Sequence, residues 1–439
     1  MIHKLIERGK SGCRAHRAIL IVMALLLVER LIAMCALGMH YNLHSDDWSY
    51  IVSGIVFANT GRITMHGTLS AQIMPGMPLL LGLVSFIFGE GRLYLLVLKL
   101  LWIAMGTLTA WFIYRSVCLF APKWCGVAAS LALFAPNIVW LDQLIMTETP
   151  YVLCSAAMIY YTFRMGRFGQ RRDFWLCAVF YLLSLSLKAN VGIYPVFAAF
   201  YLLLVRYDLK KLLRQGILLG CLVALMLAPW TVRNYKNFHA FIPLTYGGGN
   251  PLLLGTYQSS KAPEDASLDY AANVDAPIAE KFADYYDADG EVKEDYYARY
   301  ISLERDAVKA KYRMREWFHS DPKGFLRAYL MDKPAIMVYR VYYEENIFGL
   351  NIDQMNILRM LTCFATIACF ALAFVLRRRR SEMLFLAALY VGNIYLYAYT
   401  FAFPRYGQTL VHIWFILCGI GLPLAVEAFR RAGRQIPEE

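Results

Sequence analysis

The chain has 439 residues, of which 59% are hydrophobic and only 17% charged. A soluble chain of ordinary composition carries about 25% charged residues, so a soluble globular protein is excluded and a polytopic, all-α membrane protein is expected. The net charge of +12 suggests nucleic acid at first sight, but the basic residues gather in clusters that border apolar runs, which is how charge sets membrane topology.

The first apolar run, 18–38, follows Lys4, Arg8, Lys10, Arg14 and Arg17. No small-residue cleavage site stands in the following "LGMHYNLHSDDW", so the run reads as a retained helix rather than a signal peptide. Further spans are expected over 93–114, 124–141, 149–163, 174–187, 190–205, 213–230, 357–376, 382–401 and 408–428, ten in all. The stretches 75–89 and 325–350 are apolar but short or interrupted, leaving room for one or two more. If the runs alternate in direction, the basic clusters at Arg115/Lys123, Arg164–Arg172, Arg206–Arg214, Arg377–Arg380 and Arg430–Arg434 share one side. The positive-inside rule places that side, and both termini, in the cytoplasm of the plasma membrane. The ten cysteines avoid the long outside segments and show no metal-type spacing, so neither a disulfide framework nor a metal cage is expected.

Three units follow. Residues 1–230 form an N-terminal transmembrane module with a first outer loop at 39–91, residues 231–355 an outer, mostly helical subdomain, and residues 356–439 a C-terminal hairpin module with a cytoplasmic tail. Loops on one side are short and those on the other are elaborated, which points to work on the outer face.

Within the first outer loop, Trp48, Ile51, Val52, Ile55 and Val56 recur on one helical face. Ser45 or Asp46 caps this helix and Gly61 closes it. It is too short to span the bilayer, so it reads as interfacial. "MPGMPLLLGLVSFIFGEG" (74–91) reads as a second interfacial or re-entrant helix, the two fencing a cavity at the outer leaflet. In the second outer segment a helix is expected over 300–320, then a Ser or Asp cap and a helix-starting proline in "SDPKGF".

Asp46 and Asp47 sit where the chain leaves the bilayer. One carboxylate suffices to cap a helix, whereas two adjacent ones repel, which raises the pKa of one and suits a general base. Glu148, in "LDQLIMTETPY" with Asp142 nearby, serves either as a helix-start residue or as an acid converging with Asp46. Outside cations are few. Lys188, Arg233 and Arg405 stand at the outer mouths of different helices, where each alone would snorkel to headgroups, but three facing the acids suit a bound phosphate. "TYGGGN" (245–250) lacks the Gly-Lys-Ser/Thr ending of a P-loop and reads as a turn. His44 and His66 read as surface histidines.

These motifs, in this order, resemble the GT-C glycosyltransferases, in the branch that holds protein O-mannosyltransferases and lipid A aminoarabinose transferases. Asp-Asp-x-x-Tyr (46–50) resembles their Asp-Glu-x-x-Tyr start, with Asp47 in place of Glu. "TETPY", "PWTVRNYKNFHAFIPLTYGGGNPLLLGT" and "FPRYGQTL", which carries Arg405 and Tyr406, are similar to later family motifs. The resemblance implies a bundle of about 10–12 spans and transfer of one sugar from a polyprenyl phosphate to an acceptor hydroxyl on the outer face, with inversion. It implies a catalytic set of Asp46 or Asp47 with Glu148, and a phosphate-holding set of Lys188, Arg233, Arg405 and Tyr406. The acceptor is a lipid, a wall polymer or a protein. No cofactor is required, although a divalent metal serves some relatives. Two other readings stay open: a transporter or flippase of a polar or lipid-linked solute, and a glycan polymerase or ligase using an oligosaccharide diphosphate.

Overall fold

The computed structural model describes residues 16–433. Lys4, Arg8, Lys10, Cys13, Arg14 and Arg434 lie outside the described residues, and with them the ends whose side of the membrane the charge rule assigns.

The first helix, α1 (Arg17–Leu37), buries Ile19, Val22, Leu26, Arg30 and Ala33, a stripe at helical spacing, and apart from Arg17 and Glu29 is otherwise apolar. At about 1.5 Å per residue it matches a bilayer core. The two short helices of the 39–91 stretch follow as α2 (Asp46–Thr60) and α3 (Gly76–Phe88), with a two-residue-stranded hairpin between them, β1 (Thr64–Met65) and β2 (Thr68–Leu69). Gly54 and Gly82 let α2 and α3 close on each other: a Cβ on Gly54 would stand 2.5 Å from the Leu81 Cβ, and one on Gly82 2.5 Å from the Phe57 ring. Gly61 ends α2 in the left-handed region, φ 70°.

The bundle continues with α4 (Arg92–Cys118), α5 (Lys123–Leu131), α6 (Pro136–Leu141), α7 (Glu148–Phe168), α8 (Arg171–Leu187), α9 (Tyr194–Leu204) and α10 (Leu209–Phe238). Between α10 and the last helices lie α11 (Gly249–Gly255), α12 (Ala276–Lys281), α13 (Asp295–Ser320), α14 (Pro322–Arg327) and α15 (Lys333–Tyr339). As the sequence implies, Asp321 caps α14 by accepting from Gly324 N at 2.9 Å, with Pro322 in the first turn. The chain closes with α16 (Ile352–Val375), α17 (Arg380–Tyr399), the short α18 (Pro404–Gln408) and α19 (Val411–Gly433).

Among the described residues six helices are long and apolar enough to cross a membrane by length and composition: α1, α4, α10, α16, α17 and the run Pro404–Arg430. Ten were expected, and each of the other four departs for a physical reason. The 124–141 run is split into α5 and α6 by a 3-10 turn before Pro136. Helices α8 and α9 have 17 and 11 residues. Helix α7 has 21 residues but is buried on nearly every side, so it carries Thr, Ser and Tyr where a lipid-facing helix carries aliphatics. Helix α10 is the opposite case, with almost none of its apolar length fully buried.

Candidate active site

Several elements meet at one end of the bundle: the start of α2, the start of α7, the residue after α8, and α18. They bring Asp46, Glu148, Lys188 and Arg405 into a row. Arg405 Nη2 donates to Asp46 Oδ2 at 3.1 Å, and Arg405 Nε stands 3.4 Å from Glu148 Oε1. Lys188 Nζ donates to the same Glu148 oxygen at 2.9 Å. Two carboxylates and two cations therefore alternate and cancel in charge. The row lines a cavity of about 490 Å³, walled further by Tyr50, Asn190, Tyr397 and Tyr406. That volume lies in the range of small-molecule sites, roughly 300–1,000 Å³.

Each member is held by its surroundings. Tyr406 stacks on Tyr397 with ring centroids 4.6 Å apart, and Asn190 Nδ2 donates to the Tyr397 hydroxyl at 2.7 Å. The Lys188 ammonium lies 5.8 Å from the centre of the Tyr406 ring. Burial pushes Lys188 below the ordinary lysine range, and the Glu148 carboxylate partly offsets that shift. Burial raises the Tyr50 phenol, helped by the Asp46 and Glu148 charges, so Tyr50 stays protonated as a hydrogen-bond donor beside the cavity.

The segment leading to Arg405 is clamped by residues from the stretch spanning α11 to α15. Gln258 Nε2 donates to Ala402 O at 2.8 Å while Ala402 N donates back to Gln258 Oε1 at 2.7 Å. Lys333, fully buried, donates to Gly255 O at 3.2 Å and Thr400 O at 2.5 Å. Gly247 and Gly248 of the "TYGGGN" stretch line the same cavity. A Cβ at Gly247 would fall 2.4 Å from Gln72 O, so the glycine is needed for close approach, which reading the stretch as a turn missed.

Two expected site residues lie elsewhere. Asp47 is fully buried and turns back on the preceding loop, accepting from Leu43 N at 2.7 Å, Ser45 N at 3.1 Å and Trp48 N at 2.8 Å. It, rather than Ser45 or Asp46, ties down the start of α2 and leaves Asp46 free to face Arg405. Arg233 also stays out of this cavity. Its Nη1 donates to Ser70 O at 2.9 Å and its Nη2 to Ile63 O at 3.2 Å, with the guanidinium 5.0 Å from the Trp230 ring centre. It pins the β1–β2 hairpin and lines a separate cavity. Asp142 pairs with the buried Arg30 at 2.8 Å, away from the row. Among the described residues no three His, Cys, Asp or Glu side chains come together as a metal cage.

Comparison with known proteins places this architecture. The archaeal oligosaccharyltransferase AglB from Archaeoglobus fulgidus, solved with an inhibitory peptide and a dolichol-phosphate, superposes with a TM-score of 0.54 at 14% identity. The match covers 97% of this chain and 52% of AglB. The apo form of the A. fulgidus oligosaccharyltransferase gives 0.54 at 14% identity, over 95% and 52%. This is a GT-C fold. The chain spans about half the length of that oligosaccharyltransferase, and at this identity the likeness is one of fold. ArnT from Cupriavidus metallidurans bound to undecaprenyl phosphate aligns with a TM-score of 0.43 at 14% identity, over 97% of this chain and 82% of ArnT. In sequence, residues 72–232 match the model of the family described as dolichyl-phosphate-mannose-protein mannosyltransferase. That stretch holds Glu148 and Lys188 but neither Asp46 nor Arg405, so the row is only half covered by it. No curated protein matches the sequence.

Proposed function

We propose that this multi-pass membrane protein transfers one sugar from a polyprenyl phosphate to an acceptor hydroxyl on the outer face of the membrane, inverting the anomeric centre. The observation that carries the reading is the row Asp46–Arg405–Glu148–Lys188 in one cavity, with Arg405 Nε buried and lacking a hydrogen bond. That N–H faces Glu148 at 3.4 Å without making a hydrogen bond, an unusual state for a buried donor and one that an arriving phosphate oxygen would satisfy. Lys188 lies on the far side of Glu148 and supplies the second positive charge. Glu148 holds both cations toward the cavity.

In the reaction the acceptor oxygen attacks the anomeric carbon while the bond from that carbon to the phosphate oxygen breaks. The hydroxyl proton passes to an Asp46 carboxylate oxygen, and the electron pair of the broken bond stays on the polyprenyl phosphate. That phosphate gains a negative charge, which Arg405 and Lys188 offset, the electrostatic contribution that is usually largest. A single displacement inverts the centre. Leu187 and Leu396 on the cavity wall give the isoprenoid an apolar approach. Glu148 and the Arg164/Arg167 cluster stand at opposite ends of α7, roughly 31 Å long by its 21 residues, which fits an outward site if the basic end is cytoplasmic.

Metal independence belongs to the same proposal, because both cavity carboxylates already face side-chain cations. The test is turnover of polyprenyl-phosphate monosaccharides by purified protein. Transfer, or slow hydrolysis to free sugar, is expected. Solute uptake into proteoliposomes with no covalent product would favour the transporter reading instead.

A further inference from the structure

A second polar cavity, of about 550 Å³, is lined in part by the β1–β2 hairpin. Its lining includes Arg62, Thr68, Arg233, Glu294, Asp295 and Tyr296. With Arg233 held by backbone carbonyls, the charged groups left to meet a ligand are one guanidinium, Arg62, and two carboxylates, Glu294 and Asp295, a set that disfavours a polyanion such as phosphate. Arg62, Glu294 and Asp295 make no ion pair or side-chain hydrogen bond among the described residues. Leu69 is the one aliphatic side chain in the lining, which offers little to a peptide's apolar groups. A sugar hydroxyl both donates and accepts, so it is matched by free carboxylates beside a free guanidinium, and the Tyr296 ring offers an apolar face.

The cavity also adjoins the row. Ser49 follows Asp46 by three residues on α2, about 4.5 Å along its axis, and Ser49 Oγ lies 3.1 Å from His66 Nδ1 at the hairpin tip. Gly67 and Thr68, the next two residues, line the second cavity. Gln72, just past the hairpin, lines the first. Within a few residues the chain passes from the lining of the second cavity, at Thr68 and Leu69, to that of the first, at Gln72.

We infer that the second cavity binds a neutral oligosaccharide, the acceptor chain whose terminal hydroxyl reaches Asp46 past the hairpin tip. The role as acceptor site rests on the transferase reading proposed above. The test uses full-length protein in lipid nanodiscs, with mannotriose, maltotriose and chitotriose as probes, read by saturation-transfer NMR and titration. At least one trisaccharide binds wild type and Asp46→Asn alike, and Asp295→Asn and Arg62→Ala each weaken it about tenfold or more, roughly 1.4 kcal/mol. Both variants keep wild-type hydrolysis of a polyprenyl-phosphate sugar in the same preparation, which shows them folded. No binding of any trisaccharide to wild type, or unchanged binding in both variants, overturns the site. Binding of inorganic phosphate or an acidic peptide in place of the sugars also overturns it. Trisaccharide binding with no hydrolysis by any preparation keeps the site and overturns the transferase reading instead.

Discussion

Asp47→Asn separates structure from chemistry at the two adjacent acids. The Asp47 carboxylate accepts three backbone N–H groups, Leu43 on one oxygen and Ser45 and Trp48 on the other. An asparagine has one oxygen to offer. If that oxygen keeps Ser45 and Trp48, the new NH₂ faces Leu43 N, and a half-buried donor loses its partner at a cost of about 1–3 kcal/mol. The two retained bonds fall from charge-assisted to neutral, roughly halving them, which adds about 1 kcal/mol. The sum is about 2–4 kcal/mol, enough to lower an apparent unfolding midpoint by roughly 2–4 °C for a chain of this length. Asp46, with one contact and a partly open side chain, loses little stability as asparagine. The assay is intrinsic-fluorescence unfolding of both variants in nanodiscs beside turnover. Asp47→Asn is expected to unfold early yet turn over within a few-fold of wild type while folded. An unchanged midpoint together with lost turnover in Asp47→Asn would refute this division of roles.

Three further outcomes follow from the same geometry. Glu148→Gln leaves Lys188 and Arg405 facing each other across a neutral amide, with Asp46 beyond Arg405 as the remaining carboxylate of the row; breaking such a buried pair costs about 3–5 kcal/mol, so it should lower both the unfolding midpoint and turnover, whereas a loss of turnover alone would mean that Glu148 does not hold the cations. Gly249→Ala puts a Cβ 1.9 Å from Leu303 O and should strip α11 from α13, while Gly216→Ala, with nothing within 4 Å, should stabilise α10 by about 0.5–1 kcal/mol; thermal melts of both variants check this. Chelation by EDTA should leave turnover unchanged, and a loss restored by a divalent ion would contradict the metal-free site.

The sequence made the row partly legible because Asp46, Glu148, Lys188 and Arg405 break apolar runs at span ends, where an ionised group is costly unless it has partners. Arg233 has the same local signature, yet its partners are backbone carbonyls of a hairpin 163 residues away in sequence, which no local pattern reveals. Asp46 and Asp47 are indistinguishable by type, and only the backward turn of Asp47 onto Leu43 and Ser45 tells them apart. Hydropathy marked α1 and α10, which face outward, better than α7, whose all-round burial lets polar residues replace aliphatic ones. The lysine clamp at Lys333 and the second cavity both arise from segments distant in the chain, and periodicity carries no trace of either.

The central claim is that Asp46 deprotonates an acceptor while Arg405 and Lys188 hold a polyprenyl phosphate. The most direct measurement is single-turnover release of sugar from a panel of polyprenyl-phosphate monosaccharides, comparing wild type with Asp46→Asn in nanodiscs. The account predicts turnover of at least one donor by wild type and a loss of about 10²-fold or more in Asp46→Asn with its unfolding midpoint unchanged. Wild-type rates in Asp46→Asn would contradict it.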